Sequence, residues 1–224
     1  MRPLPIPRVK ICCIASVDEA WMAIRAGASA LGLVGPMPSG PGTLDEDQIA
    51  HIARSVPPGI ATFMLTSRQD AAAIIEQHRR CRTNVIQLVD RLDSGTYADL
   101  RSAMPGIGLV QVVHVTGEES IEEALSLEQQ VDAVLLDSGN PNLPIKELGG
   151  TGRIHDWAIS ARLRERLSTP VYLAGGLKPY NIRLAVQTVR PFGVDLCSGV
   201  RTDNKLDAEK VAAFFANLSR DDRP

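Results

Sequence analysis

Apolar positions along the chain fall into short, near-continuous runs separated by longer stretches with helical spacing. The short runs lie at 9–14, 30–34, 60–65, 84–89, 109–115, 133–137, 171–174 and 193–197. Between them, apolar residues recur at three- and four-residue intervals over 17–26, 45–54, 69–81, 120–129, 156–167, 180–190 and 207–218. A less regular stretch at 95–104 fills the remaining gap. Runs that are apolar on both faces belong to parallel strands covered by helices. Repetition of the unit without a linker or a break in composition predicts an α/β fold, a single (β/α)8 TIM barrel spanning 1–224. An open, doubly wound sheet is the alternative arrangement of the same elements.

The barrel assignment decides which residues bear on function, because sites in this fold gather where strands end and βα loops begin. Three of those loops are long or glycine-rich: 35–43, 138–155 and 175–178. The loop after the seventh run contains Gly175 and Gly176, and the eighth is followed by Ser198 and Gly199. Glycines there let backbone N–H groups approach an anion, and a following helix start adds a favourable dipole. Their pairing at strands seven and eight predicts a phosphate clamp; turn and cap glycines are the plainer alternative.

Two side chains near strand ends suit proton transfer. Alternation places Lys10 and Cys12 on one face of the first strand and Cys13 on the other, so Cys12 is expected inside the barrel and Cys13 against the helices. A thiol becomes a base at neutral pH only beside positive charge, for which Lys10 is the candidate. Asp137 ends the sixth run, where a carboxylic acid in a dry mouth can donate a proton. Core packing for Cys12 and loop capping for Asp137 are the competing readings.

Composition narrows the partners. The chain has 224 residues, 44% of them hydrophobic, and a net charge of −2. That balance gives no basic face for nucleic acid or an anionic membrane, and no apolar run reaches the roughly 18 residues of a span. Residues 1–10 carry three prolines and no long apolar stretch follows them, unlike a signal peptide. The four cysteines lack zinc-type spacing and are expected as reduced thiols in a cytoplasmic protein. A phosphorylated small molecule is the expected partner of a monomer or homodimer, with no metal.

Lys10-Ile11-Cys12, Leu135-Leu136-Asp137-Ser138, Gly149-Gly150-Thr151-Gly152 with Asp156-Trp157, Leu173 to Pro179, and Gly193 to Val200 together resemble the ordered motifs of the phosphoribosylanthranilate isomerase family of tryptophan biosynthesis. The resemblance covers nearly the whole chain. It implies a cofactor-free Amadori rearrangement of a phosphoribosyl amine to a ketose. Asp137 would be the general acid that opens the furanose ring and Cys12 the general base at the sugar C2. Gly175, Gly176, Ser198 and Gly199 would hold the phosphate, with Lys10, Arg91, Gly150 and Asp195 as further substrate-binding candidates.

Three positions depart from the family pattern. Its glycine after the motif cysteine is Cys13 here. Its Ser-Pro-Arg after strand two, whose arginine binds the anthranilate carboxylate, is replaced by 37–42 with no arginine. Such a charge-assisted contact contributes roughly 1.5–3 kcal/mol. Its strand-four Val-Gln-Leu-His-Gly reads Ile86-Gln87-Leu88-Val89-Asp90, leaving Arg91 or Arg68 as replacement cations. All three changes concern the side facing the aromatic amine, which raises a paralogue acting on another phosphoribosyl amine, or a non-catalytic phosphate-binding barrel, as alternatives. Of the histidines, His51 and His78 are expected in solvent and His155 in the loop it shapes, with the barrel mouth a minority reading for His114. Trp21 is expected in outer packing, and Glu118 and Glu119 in the first turn of a helix.

Overall fold

The computed structural model describes residues 6–38 and 40–219. Residues 1–5 of the N-terminal stretch, and Ser39 of the second loop, lie outside the described residues. In chain order the elements are β1 (Arg8–Ile11), α1 (Val17–Ala26), β2 (Ala30–Val34), α2 (Glu46–Ser55), β3 (Ala61–Thr66), α3 (Ala71–Cys81), β4 (Val85–Leu88), α4 (Tyr97–Ala103) and β5 (Gly108–His114). They continue with α5 (Glu119–Ser126), β6 (Ala133–Asp137), α6 (Trp157–Arg166), β7 (Val171–Leu173), α7 (Ile182–Val189), β8 (Gly193–Leu196) and α8 (Ala208–Leu218). A one-turn 3-10 segment at Ser198–Val200 and a small hairpin, β9 (Arg201–Thr202) with β10 (Lys205–Leu206), precede α8.

The strands form a closed parallel barrel in the order β1 to β8, sealed by β1 pairing with β8. The open-sheet alternative is thereby excluded. Strands apolar on both faces supply two cores. One, including Ile11, Leu31, Met64, Ile86, Val134 and Leu196, packs against the helices. The other, including Cys12, Phe63, Val110, Val112, Leu135 and Tyr172, fills the barrel interior. Complete burial of each Leu, Ile or Phe contributes about 1.5–3 kcal/mol.

Six helices start where a side chain caps them: Ser16, Asp45, Asp70, Thr96, Asp156 and Asp207 each accept from an N–H of the first turn. Each such cap contributes about 0.5–2 kcal/mol. The irregular stretch at 95–104 becomes helix α4 because Thr96 and Asp99 cap each other's backbone.

Two expectations need correction. The first strand ends at Ile11 rather than at residue 14, because Cys13 takes a left-handed backbone with φ 61°. Alternation stops there, so Cys13 turns into the cavity lining instead of packing against the helices. His78 is buried, with Nε2 on the Thr83 carbonyl at 2.7 Å, because α3 lays that face on the barrel. Trp21 is half-buried on the outer layer, its ring under the Arg25 guanidinium, and Glu119 lies in the first turn of α5 as expected.

Candidate active site

The C-terminal ends of the strands surround a cavity open to solvent. Cys12, Asp137, Gly150, Gly175, Gly176, Asp195 and Ser198 all line it. Side chains predicted from distant parts of the sequence are thus brought to one place.

The floor is built across the seam between β1 and β8. Register places Lys10 opposite Asp195, both facing inward, and Lys10 Nζ donates to Asp195 Oδ2 at 2.8 Å. Lys10 is completely buried and does not line the cavity, unlike Cys12 and Asp195 beside it. Burial alone would lower its pKa, but Asp195 and Cys12 more than offset this, and the amine stays charged above its ordinary range. Asp195 Oδ1 has no partner, and that carboxylate lines the cavity.

Cys12 follows on the same face. A hydrogen bond with the Cys13 thiol lowers its pKa, burial opposes, and the Lys10 ammonium lowers it further; the net direction is downward. Gly32 of β2 leaves the space these groups occupy. A Cβ there would stand 2.7 Å from Cys12 Sγ and 3.0 Å from Lys10 Nζ. A glycine inside a strand is the sequence sign of such an approach.

Asp137 ends β6 on the cavity wall, its Oδ1 accepting from the Ser138 backbone N–H at 2.7 Å. The loop after it folds back over the mouth through the Ser138 Oγ to Thr151 Oγ1 contact at 2.7 Å and the Asn140–Glu147 bridge. Gly150, with φ 68°, lies so close to Pro41 that a Cβ would stand 2.6 Å from its ring. The second and sixth loops therefore meet above the cavity.

At the far end, Gly175 and Gly176 adopt φ values of 80° and 62°. Asn181 holds their turn by accepting from the Lys178 N–H at 2.7 Å and donating to the Gly176 carbonyl at 3.0 Å. His155 lies beneath, bonded through Nε2 to Ser160 Oγ at 2.7 Å, and burial lowers its pKa so that it stays neutral. Gly199 packs on the neighbouring turn, where a Cβ would come 2.0 Å from the Leu177 carbonyl. Gly199→Ala must therefore move the turn, and it is expected to raise KM about 10- to 100-fold, the cost of one charge-assisted phosphate contact. Steady-state kinetics checks this.

The opposite end of the cavity differs from this polar turn. It is lined by Val34, Met37, Pro41, Leu65, Leu148 and the Gln87 side chain, whose Oε1 lacks a partner. Neither replacement cation reaches it. Arg91 pairs with Glu123 of α5 at 2.9 Å and Arg68 with Glu46 of α2 at 3.6 Å, carboxylates that hold both guanidinium groups outside the cavity. Asp90 instead meets Lys146 of the sixth loop at 2.5 Å. His114 faces the β4–β5 seam, with Nε2 on the Val89 carbonyl, and does not line the cavity. Among the described residues, no group of three or more His, Cys, Asp or Glu is placed to hold a metal ion.

Two functional residues carried no sequence motif. Arg201 reaches back from β9 to the Cys12 and Cys13 carbonyls and pairs with Glu19 at 2.9 Å. Glu19 in turn accepts from the Ala15 and Leu206 N–H groups. This cluster holds the turn that carries both thiols. Arg201→Ala is expected to lower kcat with little change in KM, and thermal unfolding of the same variant measures its separate cost in stability.

The comparisons agree with this geometry. The family model for N-(5'phosphoribosyl)anthranilate (PRA) isomerase matches residues 9–217. N-(5'-phosphoribosyl)anthranilate isomerase 2 of Methanosarcina mazei is 33% identical over 216 residues, covering 96% of this chain and 95% of its own. The crystal structure of phosphoribosyl anthranilate isomerase from Thermotoga maritima superimposes with a TM-score of 0.79 at 28% identity, covering 95% of this chain and 98% of that one. A further phosphoribosyl anthranilate isomerase structure, in complex with reduced 1-(o-carboxyphenylamino)-1-deoxyribulose 5-phosphate, superimposes with a TM-score of 0.76 at 26% identity over the same shares. With its barrel, its strand-end residues and its full-length match, the chain belongs to the N-(5'-phosphoribosyl)anthranilate isomerase family.

Proposed function

We propose that this chain isomerises N-(5-phosphoribosyl)anthranilate to the carboxyphenylamino-deoxyribulose phosphate, with Asp137 as general acid and Cys12 as general base. The observation that carries the assignment is a single cavity lined by a carboxylate, by a thiol of lowered pKa, by Gly175 and Gly176 after β7 and by Ser198 after β8. The phosphate lies on the N–H groups around Gly175, Gly176, Ser198 and Gly199, which directs the ribose toward the strand ends. Asp137 protonates the furanose oxygen, the C1–O bond breaks and the ring opens to an iminium. Cys12 then removes the C2 proton to give an enolamine, which tautomerises to the ketone. Asp195 Oδ1 is available to accept from a ribose hydroxyl. Each step uses groups of this chain as an acid, a base or an anion clamp.

Following anthranilate fluorescence with purified protein tests the reading, with Cys12→Ser and Asp137→Asn as controls. Turnover that persists in both variants would sink it. The Cys12 pKa lies below the ordinary thiol value of 9.0, so the rising limb of kcat/KM should have its midpoint below that pH. Lys10→Met removes a charge that favours the thiolate and should move the limb upward.

A second reading is a different aglycone, favoured by the absence of any lysine or arginine side chain from the described cavity lining. A panel of phosphoribosyl amines with and without a carboxylate separates the two by their kcat/KM ratios. The cavity lies within one chain, which supports an active monomer or homodimer. The free thiols at Cys12, Cys13, Cys81 and Cys197 support a place in the reducing cytoplasm. No helix among the described residues is long and apolar enough to cross a membrane.

A further inference from the structure

We propose that Cys13 and Cys197 form a reversible disulfide at the rim of the cavity, by exchange with a diffusible low-molecular-weight disulfide, and that its formation suppresses proton transfer at Cys12. The second half of this proposal rests on the reading of Cys12 as the base; the first half does not.

The geometry is that of two thiols brought together from opposite ends of the chain. β1 and β8 are hydrogen-bonded neighbours with Ile11 opposite Leu196, and the Cys12 N–H continues the ladder to the Leu196 carbonyl at 2.7 Å. Continued by one residue, that register sets Cys12 opposite Cys197, and Cys13 lies one residue further, past the end of β1. The left-handed backbone at Cys13 turns its side chain away from the helices and onto Cys197, leaving the two sulfurs 2.7 Å apart. Closure of the bond thus needs no rearrangement of the barrel.

The thiols differ in access. Cys197 is half-buried, whereas Cys13 is buried. Cys197 is thus the one a small disulfide reaches first. Its thiolate attacks one sulfur of the reagent and expels one small thiolate, leaving a mixed disulfide on Cys197. The Cys13 sulfur then attacks the Cys197 sulfur, its proton passes to the departing thiolate, and a second small thiol leaves. Overall two protein thiols are oxidised by two electrons, one diffusible disulfide is reduced to two thiols, and the protons balance. Cys81 takes no part: it lies buried under α3, and burial pushes its pKa up to about 12.

The bond acts on catalysis through Cys13. Cys13 directly follows Cys12 and both line the cavity, so a bond made at Cys13 constrains the turn that positions the Cys12 thiol. Cys13 also packs against the second loop, with Sγ 3.6 Å from the Pro41 carbonyl, and Cys197 immediately precedes Ser198 of the phosphate turn. The rim on which the bond forms therefore touches both the base and the anion clamp.

The test uses the full chain, reduced and then incubated with oxidised glutathione. Non-reducing peptide mass analysis should show the peptide carrying Cys12 and Cys13 joined to that carrying Cys197, with two of the four thiols lost. The link should survive Cys12→Ser and disappear in both Cys13→Gly and Cys197→Ser. Stable glutathione on Cys197 without the link, or a link that needs Cys12, would overturn the proposal. On oxidation kcat should fall about tenfold or more, as expected when a reacting group is displaced by a fraction of an ångström. Dithiothreitol should restore it, and Cys197→Ser should show no such response to oxidant. A link formed with no change in kcat overturns the regulatory half. If the reduced protein turns over no phosphoribosyl amine, the assignment of function fails, while the mass measurement still decides the disulfide.

Discussion

Cys12→Ser is expected to lower kcat by about 10²–10⁴-fold, the usual contribution of a positioned general base, with KM nearly unchanged. The phosphate turns lie at the other end of the cavity and keep their geometry, so binding survives while proton abstraction does not. Serine fills nearly the same volume, yet its hydroxyl is far too weak an acid for Lys10 to ionise it. The lost rate should not return at any pH at which the protein stays folded. Asp137→Asn is the complementary variant, isosteric and unable to donate a carboxylic proton. Because ring opening and C2 deprotonation are consecutive, the double variant should be little slower than the slower single one. Single-turnover kinetics with each variant checks this, and full additivity would argue for unrelated roles.

The largest effect on stability is expected from Lys10→Met. Lys10 is completely buried and Asp195 nearly so, and removing the amine leaves a carboxylate with no cation beside it. Breaking such a pair costs about 3–5 kcal/mol. For a domain of this size that is a fall in Tm on the order of 6–20 °C. Adding Asp195→Asn should recover much of the loss, because the penalty is the orphaned charge rather than the missing methylenes. The folded-state pKa of Lys10 is raised, so its contribution is fully present below the unfolded value of 10.5 and declines as pH climbs through the folded value. The gap between wild type and Lys10→Met should therefore be flat at neutral pH and narrow in strong alkali. Chemical denaturation at several pH values measures it.

Much of this architecture is legible in the residues. Strand and helix alternation is set by apolar spacing, and strand ends mark the cavity, so Cys12, Asp137, Gly175, Gly176 and Ser198 can be expected around one opening without coordinates. What fails is local alternation at β1. It assumes an extended backbone through residue 14, and Cys13 breaks that assumption with its positive φ. Arg91 shows a second limit: position beside a strand end says nothing of where a long side chain goes when Glu123 stands nearer. Arg201 and Glu19 are invisible for a third reason. They act by holding carbonyls and N–H groups of distant residues, a role without a motif. His78 reads as polar and hence exposed, but the Thr83 carbonyl satisfies it in the interior.

The contacts that make up the catalytic floor join residues 10–13 to residues 195–201. Chemistry at this site is consequently the last thing the polypeptide acquires. A nascent chain that has emerged only through β7 has its phosphate turns half built and Lys10 without Asp195 to pair with, and it should be inert. Rejoining the natural termini and cutting instead within the α4–β5 connection should preserve turnover. A cut that loosens β1 from β8 should abolish activity before it abolishes helix content. Loss of activity on gentle heating is then expected to report the parting of these two strands, ahead of melting of the barrel as a whole.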